Sequence, residues 1–414
     1  MLLRIYKIIS YLIYPFVPIY LNNRLNSKKE LKDRINERYG YSKINRKKGK
    51  LVWLHAASIG ESISILPVVE ELGQNKKIKQ ILVTTGTVTS AKIMGERLKG
   101  KAFHQFLPID IPIFVERFLN HWNPSVSIFV ESEIWPNFIS ALCKRNSKLM
   151  ILNGRMTVKS FNSWLRFKKT ALTLFSNFDL CCAQSNDSAF FYESLGIKKI
   201  VYTGNLKFSS KPEKLDSKKL NTFKRMVRNR KILLAASTHE GEEEIIANIT
   251  LSLKKKDKNF LSIIVPRHPN RNEFFSNKQK LKITYRSKNQ NIKPSTNIYI
   301  ADTVGELNLF YESAHFVFVG GSLVSHGGQN PIEAALYGKT IIHGPNIKNF
   351  VDVYEILNLM KLTSPVNNEK QLKMYIEDNY KKTDISSTKL GPKRIKKEGE
   401  KALLNSMNAI NQLI

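Results

Sequence analysis

The sequence predicts an α/β protein made of two Rossmann-like domains facing a cleft, with a short N-terminal membrane anchor. Three observations predict it. Short β-branched runs alternate with longer helical stretches in two separate series, which is how doubly wound parallel sheets read. The 414 residues exceed what one hydrophobic core usually holds. The sixteen residues from Ile8 to Asn23 carry no formal charge.

The anchor comes first, in residues 1–50. A bilayer-spanning helix needs about 20 apolar residues, so the uncharged run is short, and Pro15 and Pro18 are expected to kink it. The first alanine is Ala56. The small residues that signal cleavage requires are therefore missing, and an uncleaved anchor is expected. Residues 1–50 contain 13 basic and 3 acidic side chains, a net of +10, most of it in Arg24–Lys50. Such a cluster is drawn to an anionic membrane surface by about 1 kcal/mol per basic residue and marks the cytoplasmic side. The other reading is a buried first helix followed by an exposed basic one.

The first alternating series spans 51–207, with strands expected at Leu51–Ala57, Ile81–Thr85, Ser127–Val130, Leu149–Asn153, Leu180–Gln184 and Ile200–Gly204. A lysine-rich polar stretch containing Pro212 makes 208–230 a linker, with room for a helix of its own. The second series, 231–380, has strands expected at Ile232–Ser237, Leu261–Pro266, Ile298–Ala301, Phe316–Gly320 and Thr340–His343. Residues 381–414 form a polar tail and a last helix, near Lys396–Leu413, suited to packing back on the first domain. Ligands of such sheets sit outside the carboxyl ends of the strands.

Composition narrows the function. Sixty-six Lys and Arg against 34 Asp and Glu give +32, a field that attracts polyanions or reflects a basic surface with no special partner. The chain has no RNP, zinc-finger or helix-turn-helix pattern, so nucleic acid is not expected as a partner. Three cysteines and scattered histidines suggest neither a disulfide framework nor a metal site. No GxGxxG follows the first strand and no GxxxxGK[ST] occurs, which removes the usual support for dehydrogenase and P-loop readings. A nucleotide-sugar transferase or a nucleotide-sugar epimerase remains.

The strand ends carry the chemistry. Glu61, in His55-Ala56-Ala57-Ser58-Ile59-Gly60-Glu61, lies where a helix begins. It is either a general base aimed at the cleft or a first-turn residue that the helix favours electrostatically. Glu131 and Glu133, beside Trp135, suit orientation of a polyhydroxyl substrate. Lys207, after Thr203-Gly204-Asn205-Leu206, stands at the cleft mouth or is one surface lysine among many. In the second series, Ser237-Thr238-His239 leaves amides for a ligand, and Arg267, between Pro266 and Pro269, suits a bidentate phosphate or carboxylate contact. Asp302-Thr303-Val304-Gly305-Glu306 precedes a helix. Gly320-Gly321-Ser322-Leu323 and then Asn330-Pro331-Ile332-Glu333 suit a nucleotide, with Asn330 and Glu333 on its ribose or base and backbone amides facing its phosphate.

The segments HAASIGES, HQFLPIDIP, ESEIWPN, NGRMTVKS, GNLKF, STHEGEE, PRHPNR, DTVGELNLFY and GGSLVSHGGQNPIEAA occur in this order. Together they make the chain resemble the 3-deoxy-D-manno-octulosonic acid (Kdo) transferase family, from the anchor to about Phe350. Nine segments in series are a specific match. The resemblance implies an inverting, metal-independent glycosyltransferase of the glycosyltransferase B fold that needs no cofactor. It implies CMP-Kdo as donor and a lipid A precursor, lipid IVA, as acceptor, in lipopolysaccharide core biosynthesis at the cytoplasmic side of the inner membrane. Carried over by position, Glu61 matches the general base, and Glu131 and Lys207 match residues that stabilise the transition state. Pro266, Arg267, Val304, Gly305, Glu306, Asn330, Pro331, Ile332 and Glu333 match the segments that hold CMP. Thr84–Ser90 and Ala56-Ala57 depart from the usual spelling and bear on fine acceptor contacts.

Overall fold

In the computed structural model, residues 2–210, 215–269, 281–381 and 390–414 are described. The chain divides into two compact units, Met1–Ser210 with Lys397–Ile414, and Lys211–Lys396.

The first unit is built on strands β1 (Lys50–His55), β2 (Ile78–Thr85), β3 (Phe103–Phe106), β4 (Val126–Val130), β5 (Lys148–Gly154), β6 (Leu180–Ala183) and β7 (Ile200–Tyr202). They pair in parallel in the order β3-β2-β1-β4-β5-β6-β7. Helices cover both faces, so central strands read as nearly unbroken apolar runs, and all five residues of β4 are buried, Ser127 among them. Side chains still alternate between the faces. Leu51 and Trp53 enter one core with Phe118, Phe129 and Phe138, whereas Val52 and Leu54 enter the other with Ile65 and Val68. Trp53 packs three of those rings within 5.4 Å and donates its indole N–H to Thr84 Oγ1 at 2.9 Å, which makes its burial inexpensive.

The C-terminal helix, Leu390–Asn411, adds Ala402, Ala409 and Ile410 to the second of these cores. Gly399 sets its closest approach. A Cβ there would overlap the carbonyl of Phe208, in the short 3-10 turn Leu206–Ser209.

The N-terminal run folds as helix Leu2–Ile13, a 3-10 turn Tyr14–Phe16 and helix Val17–Asn26. Pro15 and Pro18 stand in the opening positions of the turn and the second helix, where a missing N–H costs little, so the expected kink is confined to one turn. The 25 residues Leu2–Asn26 are long and apolar enough to cross a membrane, by length and composition. Val17 and Leu21 pack on Ile111 and Phe114, and Tyr6 Oη donates to Asp110 Oδ2 at 3.0 Å. Elsewhere the apolar surface is open: Ile8, Leu12, Phe16 and Ile19 are each more than half exposed.

The second unit carries β8 (Ile232–Thr238), β9 (Leu261–Pro266), β10 (Ile283–Tyr285), β11 (Ile298–Ile300), β12 (Phe316–Val319), β13 (Ile341–His343) and β14 (Thr363–Pro365). They form a second parallel sheet, in the order β10-β11-β9-β8-β12-β13-β14. Its core includes Leu233, Ile264, Phe316 and Phe318. The linker stretch holds helix Ser217–Met226, capped by Asp216. Strands β3, β10 and β14 are absent from the sequence reading. All three are sheet edges of three or four residues, where one side of the strand lacks a neighbour and the apolar run is short.

Candidate active site

In the first unit, three side chains expected to act together emerge beyond the carboxyl ends of β1, β4 and β7. The chain leaves β1 through Ala56 and Ala57, and Ser58 caps helix Ile59–Ser64, its hydroxyl accepting from Glu61 N. The Glu61 carboxylate folds back to the same turn. Its Oε1 accepts from Ser58 Oγ at 2.6 Å and its Oε2 from Ala57 N at 2.8 Å. Glu61 is thus the third residue of the helix that Ser58 caps, with its carboxylate turned back to the Ser58 hydroxyl and to Ala57 N just before the cap, so both readings of it are physically compatible. A carboxylate has about four acceptor positions, and the cap uses two while fixing the group's direction. Burial pushes Glu61 above the ordinary carboxylate range, and the charges of Glu131 and Glu133 push the same way, while the Ser58 and Ala57 bonds oppose. A carboxyl held this way is suited to taking a proton.

Glu131 follows β4 with φ +57°, a left-handed conformation that is strained for a residue with a side chain. Bonds from both sides hold it there: its N–H donates to Leu152 O at 2.9 Å, and its carbonyl accepts from Tyr192 Oη at 2.9 Å. Lys207 Nζ stands 2.5 Å from Glu131 Oε1 in an ion pair. The partner side chains are only 15% and 10% exposed. At that burial each charge depends on the other.

Three residues that the sequence reading left without a role support this group. Asn153, fully buried with φ +54° at the end of β5, accepts Leu206 N on its Oδ1 at 2.9 Å, and Asn205 Oδ1 accepts Lys207 N at 2.9 Å. Together they set the turn from which Lys207 reaches Glu131. His55, 1% exposed at the end of β1, has Nδ1 3.0 Å from Thr84 Oγ1 and Nε2 3.4 Å from Glu133 Oε2. Glu133 also accepts the Trp135 indole N–H at 3.0 Å. His55, Asn153 and Asn205 lie inside recognisable segments, HAASIGES, NGRMTVKS and GNLKF, but a buried polar side chain announces itself only through its partners.

In the second unit, the expected nucleotide-holding residues follow β9, β11 and β12. Pro266 is the buried last residue of β9, and Arg267 is exposed, its N–H donating to Thr238 O at 3.0 Å. Asn270 and Arg271 of the same segment lie outside the described residues. Val304 is 84% exposed and Gly305 has φ +91°. The Glu306 carboxylate accepts two bonds from Arg286, at 2.9 and 2.7 Å, and one from Thr303, so Arg286 holds it below the ordinary carboxylate range. Asn330 Oδ1 accepts Ile332 N at 3.1 Å, Pro331 and Ile332 are buried, and Glu333 is exposed. Among the described residues, no three His, Cys, Asp or Glu side chains are grouped as a metal would require.

The structure corrects one expectation. The amides after β8 and β12 do not wait for a phosphate, because the carboxylate of Glu242 already takes them. Glu242 is fully buried and accepts from His239 N at 3.0 Å, Gly321 N at 2.7 Å, Ser322 N at 3.0 Å and Leu323 N at 3.0 Å. Thr238 Oγ1 donates to Glu243 Oε1 at 2.7 Å, so that hydroxyl is also engaged. In sequence, these acids read as ordinary first-turn residues of a helix, which hid the internal anion.

A family profile described as 3-deoxy-D-manno-octulosonic-acid transferase (kdotransferase) matches residues 33–210, which contain Glu61, Glu131 and Lys207. The chain is 34% identical over 399 residues to a 3-deoxy-D-manno-octulosonic acid transferase of Rickettsia bellii, covering 92% of this chain and 95% of that protein. It is 32% identical over 391 residues to the protein of the same name from Haemophilus influenzae, covering 92% and 90%. Among solved structures, a UDP-GlcNAc 2-epimerase from Neisseria meningitidis superposes with a TM-score of 0.56 at 13% identity, over 88% of this chain and 99% of that one. At that identity the likeness is one of fold.

Proposed function

The chain belongs to the Kdo transferase family and is a glycosyltransferase, and on that footing we propose that it moves Kdo from CMP-Kdo onto a lipid A precursor, lipid IVA, in lipopolysaccharide core biosynthesis. The observation that carries the reading is the grouping of a capped, partly buried Glu61 with the Glu131–Lys207 ion pair in one unit.

The chemistry follows from these groups. Glu61 removes the proton of an acceptor hydroxyl as that oxygen attacks the anomeric carbon of Kdo. The bond to the CMP phosphate breaks, its electron pair leaves with CMP, and attack opposite the leaving group inverts the centre. Positive charge grows on the sugar as the phosphate departs. Glu131 answers that charge, and Lys207, paired with it, keeps it oriented. In the second unit, Pro266-Arg267, Val304-Gly305-Glu306 and Asn330 through Glu333 hold CMP, with Arg267 on its phosphate. No metal or cofactor enters this scheme.

The acceptor is a membrane lipid, and the N-terminal helix brings the enzyme to it. Full burial of an Ile, Leu or Phe side chain is worth about 1.5–3 kcal/mol, and several are exposed along Leu2–Asn26. The basic residues after them favour an anionic surface, on the cytoplasmic side of the inner membrane.

The test is a transfer assay. Purified protein is mixed with CMP-Kdo, generated in situ, and a tetra-acylated lipid A precursor, and the lipid is weighed by mass spectrometry. Addition of a Kdo mass is expected; its absence, with an active control enzyme alongside, rejects the proposal.

A further inference from the structure

Glu242 accounts for four backbone N–H groups in a part of the fold where substrate anions are usually received. Phosphates are commonly bound by the amides that follow a strand in an open α/β sheet. Here the amides of Gly321, Ser322 and Leu323, after β12, and of His239, after β8, all donate to one side chain. Gly320 makes room for that carboxylate, since a Cβ there would lie 2.8 Å from Glu242 Oε2. Burial pushes the group above its ordinary range while all four amide bonds pull it back.

The consequences spread through the backbone. Gly320 O accepts Gln329 N at 3.1 Å and Gly321 O accepts Gly328 N at 2.7 Å, which closes the loop 322–327 and delivers the chain to Asn330. Gln329 Nε2 lies 2.8 Å from His239 Nε2, tying that segment back to the end of β8. The Ser322 hydroxyl donates to Val319 O at 2.6 Å and accepts Gly344 N at 2.9 Å, which adds the end of β13. Three neighbouring strand ends are thus joined through the turn that Glu242 holds.

We propose that Glu242 is a positioning residue of the donor site: its carboxylate serves as a built-in anion that occupies the amides after β8 and β12 and sets the placement of Asn330–Glu333. It follows that the donor's own anionic groups are received by side chains, Arg267 among them, and not by these amides. The inference rests on the reading of the second unit as the donor-holding part.

Hydrogen exchange on the full-length wild-type protein tests the occupied amides without any variant. The amides of residues 321–323 should be protected in the absence of ligand and gain nothing when saturating CMP is added. Protection that appears only with CMP would overturn the proposal. Glu242→Gln tests the coupling, because the amide nitrogen it introduces opposes N–H donors. It should speed exchange across 318–330 and raise the KM for CMP-Kdo at least tenfold, with the acceptor KM unchanged and kcat at saturating donor largely kept. A loss of kcat in proportion to the folded fraction, with donor KM unchanged, would mean the residue only stabilises the fold and would reject the positioning role. Should the wild type transfer no Kdo, the functional reading fails separately, and the exchange experiment with CMP still decides whether these amides are taken.

Discussion

Lys207 Nζ and Glu131 Oε1 stand 2.5 Å apart across 76 positions of sequence, each on a backbone segment that other residues hold in place. Asn153 and Asn205 fix the lysine's turn, while Leu152 and Tyr192 fix the strained glutamate. The pair is therefore assembled by the first unit before any substrate arrives, which is the arrangement electrostatic stabilisation requires.

Removing the lysine leaves a buried carboxylate uncompensated. Lys207→Ala is expected to lower kcat by about 10²–10³ in a transfer assay, the usual effect of losing one preorganised charged partner. Loss of the partner also destabilises by about 3–5 kcal/mol if the site stays dry, and a lower Tm reads that out.

Asn153→Ala should reproduce part of this effect from a distance. Without Oδ1 the Leu206 N–H is left unpaired in a buried setting, at a cost of about 1–3 kcal/mol. The expected result is a fall in kcat with little change in the KM of either substrate; an unchanged kcat would remove Asn153 from the support of Lys207.

The pH–rate profile should show the raised Glu61. A base must be deprotonated, so kcat/KM falls as pH drops through its pKa, and that limb is expected above the ordinary 4.5. Glu133→Gln deletes one of the charges that raise it, so the limb should move to lower pH. A limb that stays in place would separate Glu61 from Glu133.

Asp110 makes a stability prediction of definite sign. Burial pushes it up to about 6 from 3.8, against bonds from Tyr6, Asn137 N and Phe138 N. The folded state then binds the proton more tightly than the unfolded one between those values. Its contribution is most favourable below pH 4 and is lost as pH rises to 6, by about 3 kcal/mol at about 1.4 kcal/mol per pKa unit. Asp110→Asn should flatten the corresponding part of a Tm-against-pH curve.

The parallel sheets were legible in sequence because their central strands are continuous or nearly continuous apolar runs, such as Ile232–Ala236. The short edge strands β3, β10 and β14 lack that pattern. Glu61 was legible as a candidate, but the return of its carboxylate to the Ser58 hydroxyl and to Ala57 N needed coordinates, although Ser58-x-x-Glu61 is a capping spacing. Glu242 was hidden for a different reason. A run of three acids at a helix start has a sufficient local explanation, and only the fold brings Gly321, Ser322 and Leu323, some 80 residues later, onto one of them. Local spacing reports the helix turn; it does not report which loop returns to it.

The most direct test of the central claim is Glu61→Gln, assayed for CMP binding by calorimetry and for Kdo transfer by product mass in the same preparation. The glutamine can keep an acceptor for the cap but cannot take a proton. Binding of CMP close to wild type with transfer reduced by about 10³ or more is the predicted result. Transfer within a few-fold of wild type would contradict Glu61 as the general base and with it the account of the site.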